Sequence, residues 1–139
     1  GATHLVNTRE RSLLEAVGEL TDGRGADYAF EVIGHPETIQ QAYAATRKGG
    51  TTVIVGLAPA GSQLSLDLLP FFREERTLKA TLYGSVDLPR DIPLFLELYR
   101  AGRLKLDELI SQRFSLDEIN LAFQALREGA VKRGVIVFS

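Results

Sequence analysis

The sequence predicts an α/β fold built around a parallel sheet, and three observations support that prediction. Short segments rich in β-branched residues alternate with segments of helical periodicity along the 139 residues. One of them, TTVIVGL at residues 51–57, is a continuous run typical of a strand buried on both faces of a parallel sheet. Glycines separate the segments, as expected where helices and strands give way to turns.

The first elements are predicted from periodicity and from glycine. Residues 3–6 are a short apolar stretch that predicts a strand. Apolar residues at helical spacing predict a helix over residues 12–20, and the D-G-R-G sequence at 22–25 ends it. Residues 26–33 contain the strand formers Tyr, Phe, Val and Ile, which predict a strand that stops at Gly34.

A second helix and strand follow. Pro36 suits the first turn of a helix, because the N–H that proline lacks would have no partner there. Helical spacing of apolar residues continues to about Arg47, and Gly49 and Gly50 end the helix before the strand at residues 51–57.

A third strand is predicted after a loop rich in proline and glycine at residues 58–63. Residues 66–72 are expected to hold a short helix. Residues 77–83 alternate between apolar and polar side chains and predict a strand, which Gly84 and Ser85 close.

The C-terminal part is predicted to be mainly helical. Ser115 and Glu118 have the spacing of a capping box, which predicts that a helix starts there and runs to Gly129. The other elements expected here are an amphipathic helix at 90–101 ended by Gly102, a helical turn at 106–110 and a last strand at 134–138.

The composition excludes several classes of function. A net charge of -2 gives no basic field for nucleic acid, and no apolar run approaches the roughly 18 residues of a membrane span. The chain has no cysteine, so disulfides and cysteine-rich zinc sites are excluded and a cytoplasmic location is expected. It also has no methionine, and we expect it to be a segment of a longer polypeptide.

A ligand is expected beyond the carboxyl ends of the strands, where open parallel sheets bind their ligands. Apolar residues meet glycine at residues 31–34, 55–57 and 82–85, which suits the binding of a flat ring; the alternative is that these glycines simply end the strands. No G-x-G-x-x-G phosphate loop is present. Gly23 and Gly25 match half of this motif, but they precede a strand, whereas the motif opens a helix.

Two charged residues leave alternatives open. Arg133, just before the last strand, either pairs with a pyrophosphate or is a solvated surface charge. Glu31 lies within an apolar strand, where a carboxylate is costly unless it is paired, near the strand mouth or facing solvent.

Taken in order, these segments resemble the C-terminal part of the zinc-containing medium-chain alcohol dehydrogenases. The match covers the whole chain, and its most specific parts are FEVIG, VIVG, LYGS and RGVIVF. The segments that carry it lie at residues 1–7, 23–34, 49–59, 75–85, 106–129 and 133–138.

The resemblance implies a division into two parts. Residues 1–83 are expected to form a partial NAD(P)-binding domain, a Rossmann-like parallel sheet that lacks its first two strands. Residues 84–139 are expected to be a C-terminal segment of helices and a strand that packs on the catalytic domain. The cofactor-binding positions carried over are Val32 and Ile33 (adenosine half), Val55, Gly56 and Leu57 (nicotinamide), Thr81 and Tyr83 (carboxamide) and Arg133 (pyrophosphate).

The same resemblance implies a parent enzyme that transfers a hydride between a small alcohol or aldehyde and NAD or NADP. Its zinc ligands lie upstream, so we expect no catalytic or metal-binding residue in this chain and no activity from it alone. Homo-oligomerisation through the edge strand at residues 78–83 is also implied. A zinc-free quinone or enoyl reductase remains an alternative for the parent, and a non-catalytic oligomerisation module for the chain.

Overall fold

The computed structural model describes residues 1–138, which divide into two compact units. The first unit ends at Val86 and the second begins at Asp87. The first unit contains, in chain order, α1 (Leu13–Leu20), β1 (Ala26–Glu31), α2 (Pro36–Ala45), β2 (Thr46–Ile54), α3 (Leu68–Glu74) and β3 (Thr77–Ala80).

The first unit is built on a three-stranded parallel sheet in the order β1-β2-β3. Helix α2 connects β1 to β2 and packs on both strands, and α1 packs on α2. The chain therefore crosses over between successive strands, as parallel pairing requires. The α/β class and the parallel, Rossmann-like sheet predicted from the sequence are confirmed.

Side-chain caps and a proline define the starts of the helices in this unit. The Ser12 hydroxyl accepts a bond from the Glu15 amide at the start of α1, and Pro36 occupies the first turn of α2. Asp67 caps α3 by accepting a bond from the Leu69 amide.

Some predicted boundaries are wrong. Residues 3–6 form no strand, because no neighbouring strand pairs with them, and the Leu5 side chain is 91% exposed. Helix α2 ends at Ala45 rather than Arg47, since Thr46 already has extended backbone angles. Strands β1, β2 and β3 end at Glu31, Ile54 and Ala80, before the ends predicted for them.

The core of the first unit lies between α2 and the sheet. Its buried apolar residues include Ile39 and Tyr43 of α2. Beneath them Thr46 and Thr52 are fully buried, and their hydroxyl oxygens lie 2.8 Å apart. A buried hydroxyl needs a partner, and each of these threonines supplies one to the other.

The second unit contains helices and a small parallel sheet. Its elements are α4 (Leu88–Arg100), β4 (Gln112–Ser115), α5 (Ile119–Arg127) and β5 (Gly134–Val137), with a short 3-10 turn at Asp107–Leu109. The capping box of Ser115 and Glu118 is formed as predicted. Strand β4 was not predicted; it pairs with β5, and Phe114 is buried.

Within residues 1–138, no helix combines the length and the apolar character needed to cross a membrane.

Candidate functional site

The turn after β1 exposes two of the predicted cofactor-binding residues. Val32 and Ile33 follow the last residue of the strand, and both side chains are largely exposed. Gly34 ends the turn with a φ of 88°, a left-handed conformation that favours glycine. Apolar side chains are thereby presented beyond the carboxyl end of the strand.

The carboxylate of Glu31 organises this turn from beneath. Glu31 is only 4% exposed, and its Oε1 accepts bonds from the amides of Ile33 and Gly34 at 2.8 and 2.9 Å. The hydroxyl of Thr38, in the first turn of α2, donates to the same oxygen at 2.7 Å. Burial acts to raise the pKa of Glu31, but these hydrogen bonds outweigh it and lower the pKa below its ordinary value.

The turn after β2 is joined to the same residue. The amides of Val55 and Gly56 donate to the carbonyl oxygen of Glu31 at 2.8 and 3.0 Å. Leu57 follows, with 88% of its side chain exposed. The structure thus brings the predicted residues of the first two strand ends together.

Two glycines allow the two turns to approach this closely. A Cβ atom on Gly34 would stand 2.5 Å from the carbonyl carbon and oxygen of Leu57. A Cβ atom on Gly56 would overlap the backbone of Ile33 and Gly34. Both glycines are therefore required by backbone contact, which goes beyond their role as strand terminators.

The end of β3 lies beside the end of β2, next to the first two strand ends. The amide of Thr81 donates to the carbonyl of Ile54 at 3.0 Å, which places Thr81 beside the end of β2. Tyr83 follows with a φ of 48° and an exposed side chain. Next to these residues is an open cavity of about 330 Å³, lined by Phe30, Val53, Val55, Lys79, Thr81, Gly84 and Ser85.

Arg133 belongs to the second unit. Its side chain is exposed, while its backbone is fixed by Ser111, whose hydroxyl oxygen accepts a bond from the Arg133 amide at 3.1 Å. The Ser111 amide in turn donates to the Arg133 carbonyl at 3.0 Å. The role of Arg133 toward a pyrophosphate stays a prediction.

The chemistry of the strand ends favours binding rather than reaction. Exposed apolar side chains and nearby backbone groups suit the flat, partly apolar rings of a nicotinamide dinucleotide. The start of α2 does not suit its phosphates, because the carboxylate of Glu31 already bonds the amides just before that helix.

The described residues do not fit a zinc ion. Within residues 1–138, no three side chains of the His, Cys, Asp and Glu types are grouped so that they could hold a metal.

The sequence interpretation included Gly34 but missed its contact with the neighbouring turn, and it missed Thr38 as a member of the site. The sequence leaves the surroundings of Glu31 open, and the structure shows a buried, fully hydrogen-bonded carboxylate. The available signal was a glutamate ending an apolar strand, followed by a glycine and then by a threonine in the next helical turn.

Residues 1–101 match the family described as zinc-binding dehydrogenase. Two curated relatives are similar over almost the whole chain. The NDMA-dependent alcohol dehydrogenase of Amycolatopsis methanolica is 41% identical over 144 residues, covering 100% of this chain and 38% of the relative. Alcohol dehydrogenase-like 7 of Arabidopsis thaliana is 36% identical over 140 residues, covering 98% of this chain and 36% of the relative.

A solved structure has the same fold. The benzyl alcohol dehydrogenase of Acinetobacter calcoaceticus superposes with a TM-score of 0.90 at 30% sequence identity, covering 100% of this chain and 38% of that one. The chain thus spans little more than a third of the length of these relatives.

Proposed function

The chain belongs to the zinc-binding dehydrogenase family, and we propose that it is part of an NAD(P)-dependent, zinc-type alcohol dehydrogenase. The parent protein would transfer a hydride between a small alcohol or aldehyde and the nicotinamide ring. The similarity to proteins named alcohol dehydrogenases supports this substrate class.

One observation carries the proposal for the chain itself. The first two strand ends, joined through Glu31, present Val32, Ile33 and Leu57 on one edge of the sheet. Ligands of parallel sheets bind beyond this edge. We assign Val32 and Ile33 to the adenosine half of the cofactor and Val55, Gly56 and Leu57 to the nicotinamide half.

The remaining assignments follow the family resemblance. The backbone near Thr81 and Tyr83 would bond the carboxamide, and Arg133 would pair with the pyrophosphate through its planar guanidinium. When bound, NAD(P) supplies the hydride acceptor or donor. The chain's own residues hold its rings and shield them from water, while zinc ligands would come from outside these residues.

The test is turnover by the full-length protein that contains this chain. We expect formation of reduced nicotinamide from a primary alcohol and NAD or NADP, and loss of that activity after zinc is removed by a chelator. Activity toward quinones or enoyl substrates that survives the chelator would instead support the zinc-free reductase. Absence of any dinucleotide binding would refute both.

The isolated 139 residues are proposed to be inactive. They contain no cysteine, only two histidines and no G-x-G-x-x-G loop, so they supply neither a metal nor a phosphate site of the expected kind. Turnover by the purified segment alone, above the rate of a buffer control, would contradict this.

A second candidate role is assembly through β3. This strand is an edge of its sheet, and because Thr81 bonds inward, alternation directs the backbone of Ala80 outward. We propose that residues 78–83 pair with a second copy in the parent protein, which we expect to be cytoplasmic. Ala80→Pro would remove an outward N–H and should reduce the mass measured by sedimentation. An unchanged mass would count against pairing at this edge.

A further inference from the structure

Among residues 1–138, Glu31 is the one residue that is hydrogen-bonded to both of the first two strand-end turns. Its side chain accepts bonds from Ile33 and Gly34, and its carbonyl oxygen accepts bonds from Val55 and Gly56. The bonds from these amides to the side chain are 2.8–3.0 Å long, and those to the carbonyl are 2.8 and 3.0 Å. A substitution at Glu31 is therefore expected to disturb both turns of the candidate cofactor site.

The charge of Glu31 has no cationic partner among residues 1–138. A buried carboxylate without a cation is costly unless hydrogen-bond donors converge on it. Here the donors are two backbone amides and the hydroxyl of Thr38. Bonds from these groups to an ionised oxygen are stronger than bonds between neutral groups, so the carboxylate fixes the backbone that donates to it.

The turn that is fixed in this way has few other supports. Val32 and Ile33 are largely exposed, so packing of their side chains does not hold the backbone in place. Gly34 adopts a left-handed conformation, and glycine has more backbone conformations open to it than any other residue. The hydrogen bonds to Glu31 select the observed conformation.

We propose that Glu31 is a positioning residue for the cofactor site, acting through the turn at residues 32–34 and the turn at 55–57. It does not touch the reacting atoms, because its carboxylate is buried beneath the turn and fully engaged there. This inference rests on the proposed dinucleotide binding. Loss of the carboxylate should weaken dinucleotide binding while leaving the chemical step unchanged.

The test compares Glu31→Gln with the unchanged full-length protein. The amide keeps one oxygen acceptor but loses the negative charge and one acceptor. We expect the Kd and KM for NAD(P) to rise by about tenfold, the size associated with a weakened charge-assisted network, with kcat and the KM for the alcohol nearly constant. Thr38→Val should act in the same direction, and Thr38→Ser, which keeps the hydroxyl, should restore binding.

A matched control separates positioning from general stability. Glu118→Gln also removes a carboxylate that holds local backbone in place. The Glu118 carboxylate accepts bonds from the amide and hydroxyl of Ser115 at 2.8 and 2.9 Å. Both variants should lower the melting temperature, but only Glu31→Gln should change the KM for the dinucleotide. Measurements are made well below the melting temperatures of all variants.

The outcomes distinguish this inference from the proposed function. If the unchanged protein binds no dinucleotide, the proposed function fails. If the unchanged protein binds it and Glu31→Gln binds equally well, the proposed function stands and the positioning role is overturned. If Glu118→Gln raises the KM for the dinucleotide as much as Glu31→Gln does, the effect is one of stability and the positioning role is also overturned.

Discussion

Gly34 and Gly56 touch through their backbones, so that the turns following β1 and β2 have no room between them for a side chain. The contact is reinforced by the bonds that Val55 and Gly56 donate to the carbonyl of Glu31. The close approach sets the spacing of the exposed residues on either side. A single methyl group added at either glycine is therefore enough to disturb it.

Gly56→Ala should destabilise the protein by about 1–3 kcal/mol or more, the range for overpacking a well-packed position. The added Cβ would overlap the backbone of Ile33 and Gly34, which cannot move as a flexible side chain can. The measurement is urea unfolding of the purified full-length protein.

Gly18→Ala is the control for this substitution. Gly18 lies within α1 with open space around its Cβ position, so alanine should stabilise the helix by up to about 1 kcal/mol. Equal effects of the two substitutions would contradict the steric account of Gly56.

The buried hydroxyls of Thr46 and Thr52 predict non-additive substitutions. Thr46 donates to the carbonyl of Ala42 at 2.8 Å, so Thr52 donates to Thr46 across 2.8 Å. Thr46→Val leaves a buried hydroxyl on Thr52 without its acceptor and should cost about 1–3 kcal/mol. The double variant should cost less than the sum of the single ones, measured as a cycle of unfolding free energies. Strict additivity would contradict the pairing.

Asp27 predicts a dependence of stability on pH. Hydrogen bonds from Arg24 and Arg47 lower the pKa of Asp27 to about 2. Because the folded pKa is depressed, the ionised carboxylate stabilises the protein above its ordinary pKa near 4, and this contribution is lost as the pH falls toward 2.

The difference in melting temperature between the unchanged protein and Asp27→Asn should therefore be largest near neutral pH. It should disappear as the pH falls toward 2. Melting curves recorded between neutral pH and pH 2 test this directly. A difference that stays constant over that range would show that the carboxylate charge is not the cause.

Arg76 predicts that a change of cation is not conservative. Its guanidinium donates to the backbone carbonyl of Tyr43 at 2.6 Å and lies 5.0 Å from the centre of the Tyr43 aromatic ring. It also forms an ion pair with Glu74 at 2.7 Å. Arg76→Lys keeps the charge but loses the planar group that does all three, and should cost about 1 kcal/mol. Lys79→Arg, on an exposed position, serves as the control and should change stability little. An Arg76→Lys variant as stable as the original would refute the account.

Helix positions were predicted well because their signals are local. Pro36 and the Ser115–Glu118 box each mark a helix start within a few residues of sequence, and the structure confirms them. Strand pairing is not local, which explains the two clear errors. Residues 3–6 have strand-like composition but no partner, whereas the polar Gln112–Ser115 forms β4 because β5 lies beside it.

The candidate site was predicted only in part for a similar reason. Composition and resemblance indicated Val32, Ile33 and Leu57, which lie at the strand ends where they were expected. The contact between Gly34 and Gly56 and the network around Glu31 depend on how two strand ends approach in space. That approach is set by the sheet register, which one segment of sequence does not contain.

The most direct test of the central claim is the dissociation constant for NAD(P) of the full-length protein carrying Leu57→Asp, measured by titration calorimetry. Leu57 is exposed, so the substitution should affect stability little, while a carboxylate in the proposed nicotinamide wall should weaken binding by about tenfold or more. Leu68→Asp, at another exposed leucine outside the strand ends, should bind as the unchanged protein does. Equal dissociation constants for all three proteins would contradict the claim that this edge of the sheet holds the cofactor.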